Sequence, residues 1–484
     1  VTGLLRQRGR FGKGGGRLPF ATHNHKFIGY KPVMDNASAQ ALIRFGLGAG
    51  PNDDVAGDPR GALKAQLQGP DPGEASGAFA GLPAGLDAMD AVRADALAHK
   101  AFLLAGKPPG QRPRAQTQAL HQLDVAAQMG WAVTTGASFR ERLVWFWANH
   151  FTVSIYQGQT VALAGPMIRE AIRPHVNGNF TDMVLAVERH PAMLMYLANA
   201  SSIGPDSPVG RRRHVGLNEN LGRECMELHT VGLAAGYTQA DVTNMARILT
   251  GWTTGGSDSG GDPTGFKYRA DFHEPGSWPV MGQDFGGGEQ SGIDALTYLS
   301  RYPTTYQLLA RKLVTHFVAD DPPPDAVAHI AGVLRETGGD LGAASAALVD
   351  LPAAWTPLTK LKTPLEYVVS MVRAAPPGPN DPPLNYQGIS GQLGQPLWGA
   401  PLPNGWSDQA AVWAGSDAML ARVQWAYTYA ARLDRGGAGV QPAALAGAAL
   451  GPLLRPATAQ AIGSAGSRRE AVTMLFSAPE FERR

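Results

Sequence analysis

Apolar residues recur along this chain at i, i+3, i+4 and i+7, the period of a helix buried on one face. The pattern predicts helices over 37–48, 58–67, 88–105, 116–129, 139–153, 159–172 and 181–199. Further on it predicts them over 306–320, 325–336, 341–349, 363–374, 418–433, 458–464 and 468–476. Between them lie stretches dense in turn formers, at 69–87, 106–114, 201–217, 253–270 and 375–411. No run of consequence alternates apolar and polar residues with the period of a strand. The predicted fold is mostly α, a large multi-helix domain with long Gly/Pro-rich loops that leave room for a few short β-hairpins.

Residues 218–252, NENLGRECMELHTVGLAAGYTQADVTNMARILTGW, read as two helices joined at Gly232 and Gly236. Thr238 and Asp241 fit a capping box for the second helix, which makes Asp241 a cap. In the first, Glu224 and Glu227 fall within ~60° of one another and of Asn220 on a helix of 3.6 residues per turn. Leu221, Cys225 and Leu228 form the adjoining apolar arc. Two acids three apart repel unless a cation, a proton or a base joins them. Arginine is one available partner, from Arg223, Arg247 or the run Arg211, Arg212 and Arg213. A metal ion is another. On a regular helix His229 lies ~140° from Glu224, so the two share an ion only if the helix unwinds toward Gly232.

Other histidines enlarge the candidate set. His150 sits with Leu143, Phe146 and Trp147 on the aromatic face of 139–153, beside Asn149. A histidine so placed is either a satisfied core residue or a ligand. His273 falls in a loop, where packing gives a histidine less reason to exist. His316 ends a helix, a position that suits a cation. A metal site built from these residues needs His, Asp and Glu converging from separate segments. The candidate ligands are Glu224, Glu227 and His150. The same three are the candidate catalytic residues, because paired carboxylates can also do acid–base work. Asn149, His229, Tyr237, His273 and Arg247 are candidate substrate-binding groups. Cys225 lies on the apolar arc beside acids and reads as a small hydrophobe.

Composition narrows the picture. The 484 residues call for more than one small core, and 17% charge with 44% apolar content is globular. Gly (60) and Pro (37) account for the long loops. A net charge of +2 offers no global case for nucleic acid. One cysteine excludes an internal disulfide framework and a multi-cysteine zinc cluster. No apolar run is long enough to span a membrane. Residues 1–36 read as a flexible tail, basic through residue 26 and without the apolar core of a secretory signal, or as a tether to an anionic surface. The remainder, 37–484, reads as one large domain of two loose helical lobes, 37–252 and 300–484, joined by a Gly-rich loop region.

Several segments together resemble a bacterial family, the domain of unknown function 1800. They are RFGLG at 44–48, WANHFT at 147–152, NENLGRECMELHTVG with GYTQADV and ILTGW, Phe272-His273 with PVMG, KLVTHFVADDPP, LKTPLEYVVSMVR, GQPLWGAPLPNGW and the final SAPEFERR. Cys225 and Met226 stand where the family usually has leucines. The resemblance implies recurring polar residues at Asn149, His150, Glu224, Glu227, His229, Tyr237 and His273. It implies export to the periplasm or beyond, although cytoplasmic residence is the alternative for this chain. It also implies a partner from the domain of unknown function 1501 family, which looks like alkaline phosphatases. No catalytic assignment comes with it. The expected function is a metal-assisted hydrolytic enzyme with a divalent metal at the Glu/His centre. The alternatives are a non-catalytic scaffold in the cell envelope and a haem peroxidase-like oxidoreductase. The last rests on a faint likeness of 218–252 to the proximal helix of animal-type haem peroxidases.

Overall fold

The structure, a computed structural model, describes residues 34–484 apart from 51, 56, 158, 215, 379 and 436–438. The basic tail expected over 1–36 therefore lies, up to residue 33, outside the described residues. The chain is mostly helical. The described strands form two small antiparallel hairpins, Trp252–Thr254 with Phe266–Tyr268 and Trp278–Val280 with Gln283–Phe285. No helix among the described residues is long and apolar enough to cross a membrane.

Among the described residues the two largest hydrophobic cores draw on different stretches of the chain. The larger takes in side chains from Ala41 to Ala354 and the smaller from Tyr367 to Phe481, joined by Ile43. The helix Pro303–Phe317 lays Tyr306, Leu309, Leu313, Val314 and Phe317 into the larger core.

Local chemistry sets the element ends. Pro191 breaks the run expected over 181–199 into Phe180–Arg189 and Pro191–Tyr196. Asn179 caps the first piece by accepting from the Thr181 N–H. The basic loop at 201–217 contains a short helix, Pro208–Arg213. Thr238 and Asp241 form the expected capping box on Gln239–Ile248. Asp241 also accepts from the Met281 N–H at 2.7 Å. Met281 and Gly282 are the two turn residues of the second hairpin, both with positive φ (48° and 84°). That is the turn whose twist suits a two-residue hairpin, and a bare glycine adopts it without strain.

Among the described residues three helices run into a π-turn, at Ala41–Phe45, Ile168–Ile172 and Cys225–His229. The last belongs to the first limb of the central pair. That limb, starting as Asn220–Glu224, packs against Gln239–Ile248. Contact is close at Gly222, where a Cβ would come within 2.8 Å of the Ala246 nitrogen.

Between the two cores runs a seam of buried ion pairs. Arg142 meets Glu366 at 3.1 Å, and Arg484 meets Glu366 at 2.9 Å and Asp408 at 3.2 Å. Asp408 also pairs with His316 at 2.6 Å, so His316 is held by an acid and not only by a helix end. Alongside, Arg422 pairs with Glu482 at 2.6 Å, and Arg373 with Asp53 at 2.7 Å.

Candidate functional site

The π-turn at Cys225–His229 alters what the sequence pattern implied. Its hydrogen bonds run i→i+5, so a residue five positions on lies nearly one turn above the first. His229 is five positions beyond Glu224. The angular separation expected on a regular helix is thereby lost, and the imidazole comes into electrostatic range of Glu224.

Opposite this turn stands Glu188, on the buried face of Phe180–Arg189 with Phe180, Val184 and Val187. Its carboxylate meets His229 Nδ1 at 2.6 Å. The Cys225 thiol lies against the same carboxylate, at a geometry that leaves Glu188 Oε2 without a hydrogen bond. Glu188 and Cys225 are wholly buried and His229 is 1% exposed. One ligand atom from each of the three lies within 4.8 Å of the others. Burial, and then the Glu188 charge, push the thiol well above its ordinary range.

The end of the π-turn is capped from two other helices. Lys312 Nζ donates to His150 Nδ1 at 3.0 Å and to the Leu228 carbonyl at 3.4 Å. His150 Nε2 then carries the proton and donates to the His229 carbonyl at 3.2 Å. Both carbonyls belong to the last turn, where the helix supplies no partner. Burial and the neighbouring ammonium hold His150 well below its ordinary range, and burial pushes Lys312 down to about 8. His150 is thus a neutral cap with both ring nitrogens engaged, which leaves neither one for a metal ion in this arrangement.

Glu224 and Glu227 are half-buried on the outer side of the turn. Burial raises Glu224 above the usual carboxylate range, with the His229 imidazole opposing. Tyr237 donates to Glu227 at 3.3 Å. Burial, reinforced by the acids, pushes the phenols of Tyr196 and Tyr237 up to about 12. Among the described residues no arginine forms an ion pair with either acid. Arg223 goes to Glu219 at 3.2 Å, and Arg211 to Asp206 at 3.5 Å. Arg247 lies 4.3 Å over the Trp278 ring and bonds Asn244. Of the partners available to the two acids, the arginines are therefore engaged elsewhere or form no ion pair with them among the described residues.

The remaining candidates hold loops. Asn149 clamps Trp406 through both its amide donor and its carbonyl, at 2.9 and 2.7 Å. His273 donates from Nδ1 to the Thr250 carbonyl at 2.9 Å, and its Nε2 accepts from the Gly288 N–H at 2.8 Å. The structure thus brings together Glu224, Glu227, His229 and Tyr237, with His150 behind the turn. It leaves Asn149, His273 and Arg247 in separate contacts. Glu188, Lys312 and Tyr196 are additions. Glu188 had a signal in the sequence, an acid four residues after Val184 on an apolar stripe.

Fold and site define a mostly helical protein with a buried carboxylate–imidazole–thiol cluster beneath a half-buried pair of acids. The model of a family described as protein of unknown function (DUF1800) matches residues 40–483, and the chain belongs to that family. No curated protein and no solved structure matches it.

Proposed function

We propose that the chain is a hydrolytic enzyme, metal-assisted, in which Glu224 is the general acid–base group. One observation carries this reading: the π-turn sets the Glu188–His229 pair, 2.6 Å apart and buried, beside the half-buried Glu224. A carboxylate behind an imidazole fixes its tautomer and orientation and raises its basicity. Glu227 and the Tyr237 hydroxyl stand next to Glu224 to bind or polarise a substrate. A divalent cation beside Glu224 and Glu227 would supply Lewis acidity and an activated water. Export and a phosphatase-like partner, implied by the family resemblance, belong to the same reading. Cell fractionation and co-purification test them.

A second reading, a non-catalytic scaffold, has its own support. Asn149, His150 and His273 spend their polar atoms on backbone groups and on Lys312, as structural residues do. Chromogenic esters, phosphoesters and glycosides, tested on the whole chain and on Glu224→Gln, separate the two. The enzyme reading expects hydrolysis of one class, reduced about 10²–10⁴-fold in the variant, with an unchanged melting curve. Hydrolysis indifferent to Glu224 removes Glu224 from the reaction, and none in any class favours the scaffold.

A further inference from the structure

We infer that Glu188, Cys225 and His229 form a buried binding site for a thiophilic divalent cation of the zinc class. The three donors come from two helices, their ligand atoms lie within 4.8 Å of one another, and none is more than 1% exposed. A second observation points the same way. Glu188 Oε2 is buried in this cluster without a hydrogen-bond partner. A carboxylate in that position carries a large desolvation cost that one imidazole bond and a weak thiol donor offset only in part. Among the described residues no lysine or arginine pairs with Glu188.

A divalent cation removes the imbalance. With one thiolate, one carboxylate and one neutral imidazole the cluster has no net charge, the thiol proton passing to solvent as the metal binds. The 2.6 Å hydrogen bond between Glu188 and His229 is exchanged for bonds to the ion. Thiolate and imidazole donors select zinc-class ions, whereas magnesium and calcium require oxygen donors. Three protein donors leave one position of a tetrahedral ion without a protein ligand. Only the use of that position rests on the hydrolytic reading, since the binding of the ion stands without it.

The test uses the full chain, dialysed against chelator and titrated with zinc and then cobalt(II). One equivalent is expected, with a thiolate-to-cobalt charge-transfer band in the near ultraviolet. Cys225→Ser should lose the band and weaken binding at least tenfold. Buried substitutions can unfold a chain, so the unmodified protein gives an independent measure: zinc should raise its melting temperature and magnesium at equal concentration should not. A folded protein whose cobalt spectrum lacks the thiolate band, or which zinc stabilises no more than magnesium, overturns the site. A cobalt–thiolate band without hydrolysis keeps the site and removes the hydrolytic reading. Glu224-dependent hydrolysis without the band does the reverse.

Discussion

In the seam between the two cores Glu366 meets Arg142 at 3.1 Å and Arg484 at 2.9 Å, and Asp408 meets Arg484 and His316. In the centre around His229, Glu188 meets one imidazole and a thiol, with an oxygen left over. Both regions place carboxylates out of water. In the seam each of these two acids has two basic partners, an arrangement that orients helices and asks for nothing further. The centre is short of positive charge. Glu482, alongside the seam, also keeps one oxygen without a hydrogen bond, but it faces a guanidinium, whereas Glu188 faces only an imidazole and a thiol.

Substitutions can break or sharpen this contrast. The largest effect should follow Arg142→Ala, which removes a partner from Glu366 and from the carbonyls of Ile43, Arg44 and Gly46. Losing one member of a buried pair should cost about 3–5 kcal/mol in urea unfolding. A loss below about 1 kcal/mol would mean that the seam behaves like a surface pair.

The next effect is on pH dependence. Burial pushes Lys362, in the seam, down to about 7, with Glu482 and Glu366 opposing. In the unfolded chain a lysine titrates at about 10.4. Between those values the unfolded chain holds a proton that the folded chain does not. This group's contribution to stability therefore rises with pH from about 7 to about 10, and is level below that range. Urea midpoints measured across the window should climb, and Lys362→Met should climb less steeply. Equal slopes in both proteins would show that the seam lysine is not the source.

The smallest effect is expected where the contrast is sharpest. Glu188→Gln in metal-free protein should change stability by no more than about 1 kcal/mol. The amide still accepts from His229 and no longer buries an ill-matched charge. A loss of several kcal/mol in calorimetry would show that Glu188 is as well balanced as Glu366.

Much of the fold was legible in the sequence because helical periodicity and caps are local. Thr238 with Asp241 forms the capping box its pattern implies, and the helix expected over 363–374 runs over Pro364–Ala374. The acids Glu224 and Glu227 were legible for the same reason. His229 was misplaced because nothing in CMELH distinguishes an α-turn from a π-turn, and the angular argument assumed the former. Glu188 sat in plain view on an apolar stripe, but its partner lies 41 residues away. Arg142 and Glu366 are farther apart still, and which buried arginine meets which buried acid is decided only when the cores close. Cys225 read as a small hydrophobe, and its burial agrees. What it faces could not be read.

A π-turn is an α-helix carrying one surplus residue, so the segment before Cys225 and the segment after it are read in two different frames. Chain length between Glu224 and Gly232 therefore matters as much as composition. Removing a single residue there would leave His229 four positions beyond Glu224 on a regular α-helix, within ~40° of it, and keep the two side chains on one face. Straightening the turn with every residue kept would instead carry His229 ~140° from Glu224 and dismantle the centre.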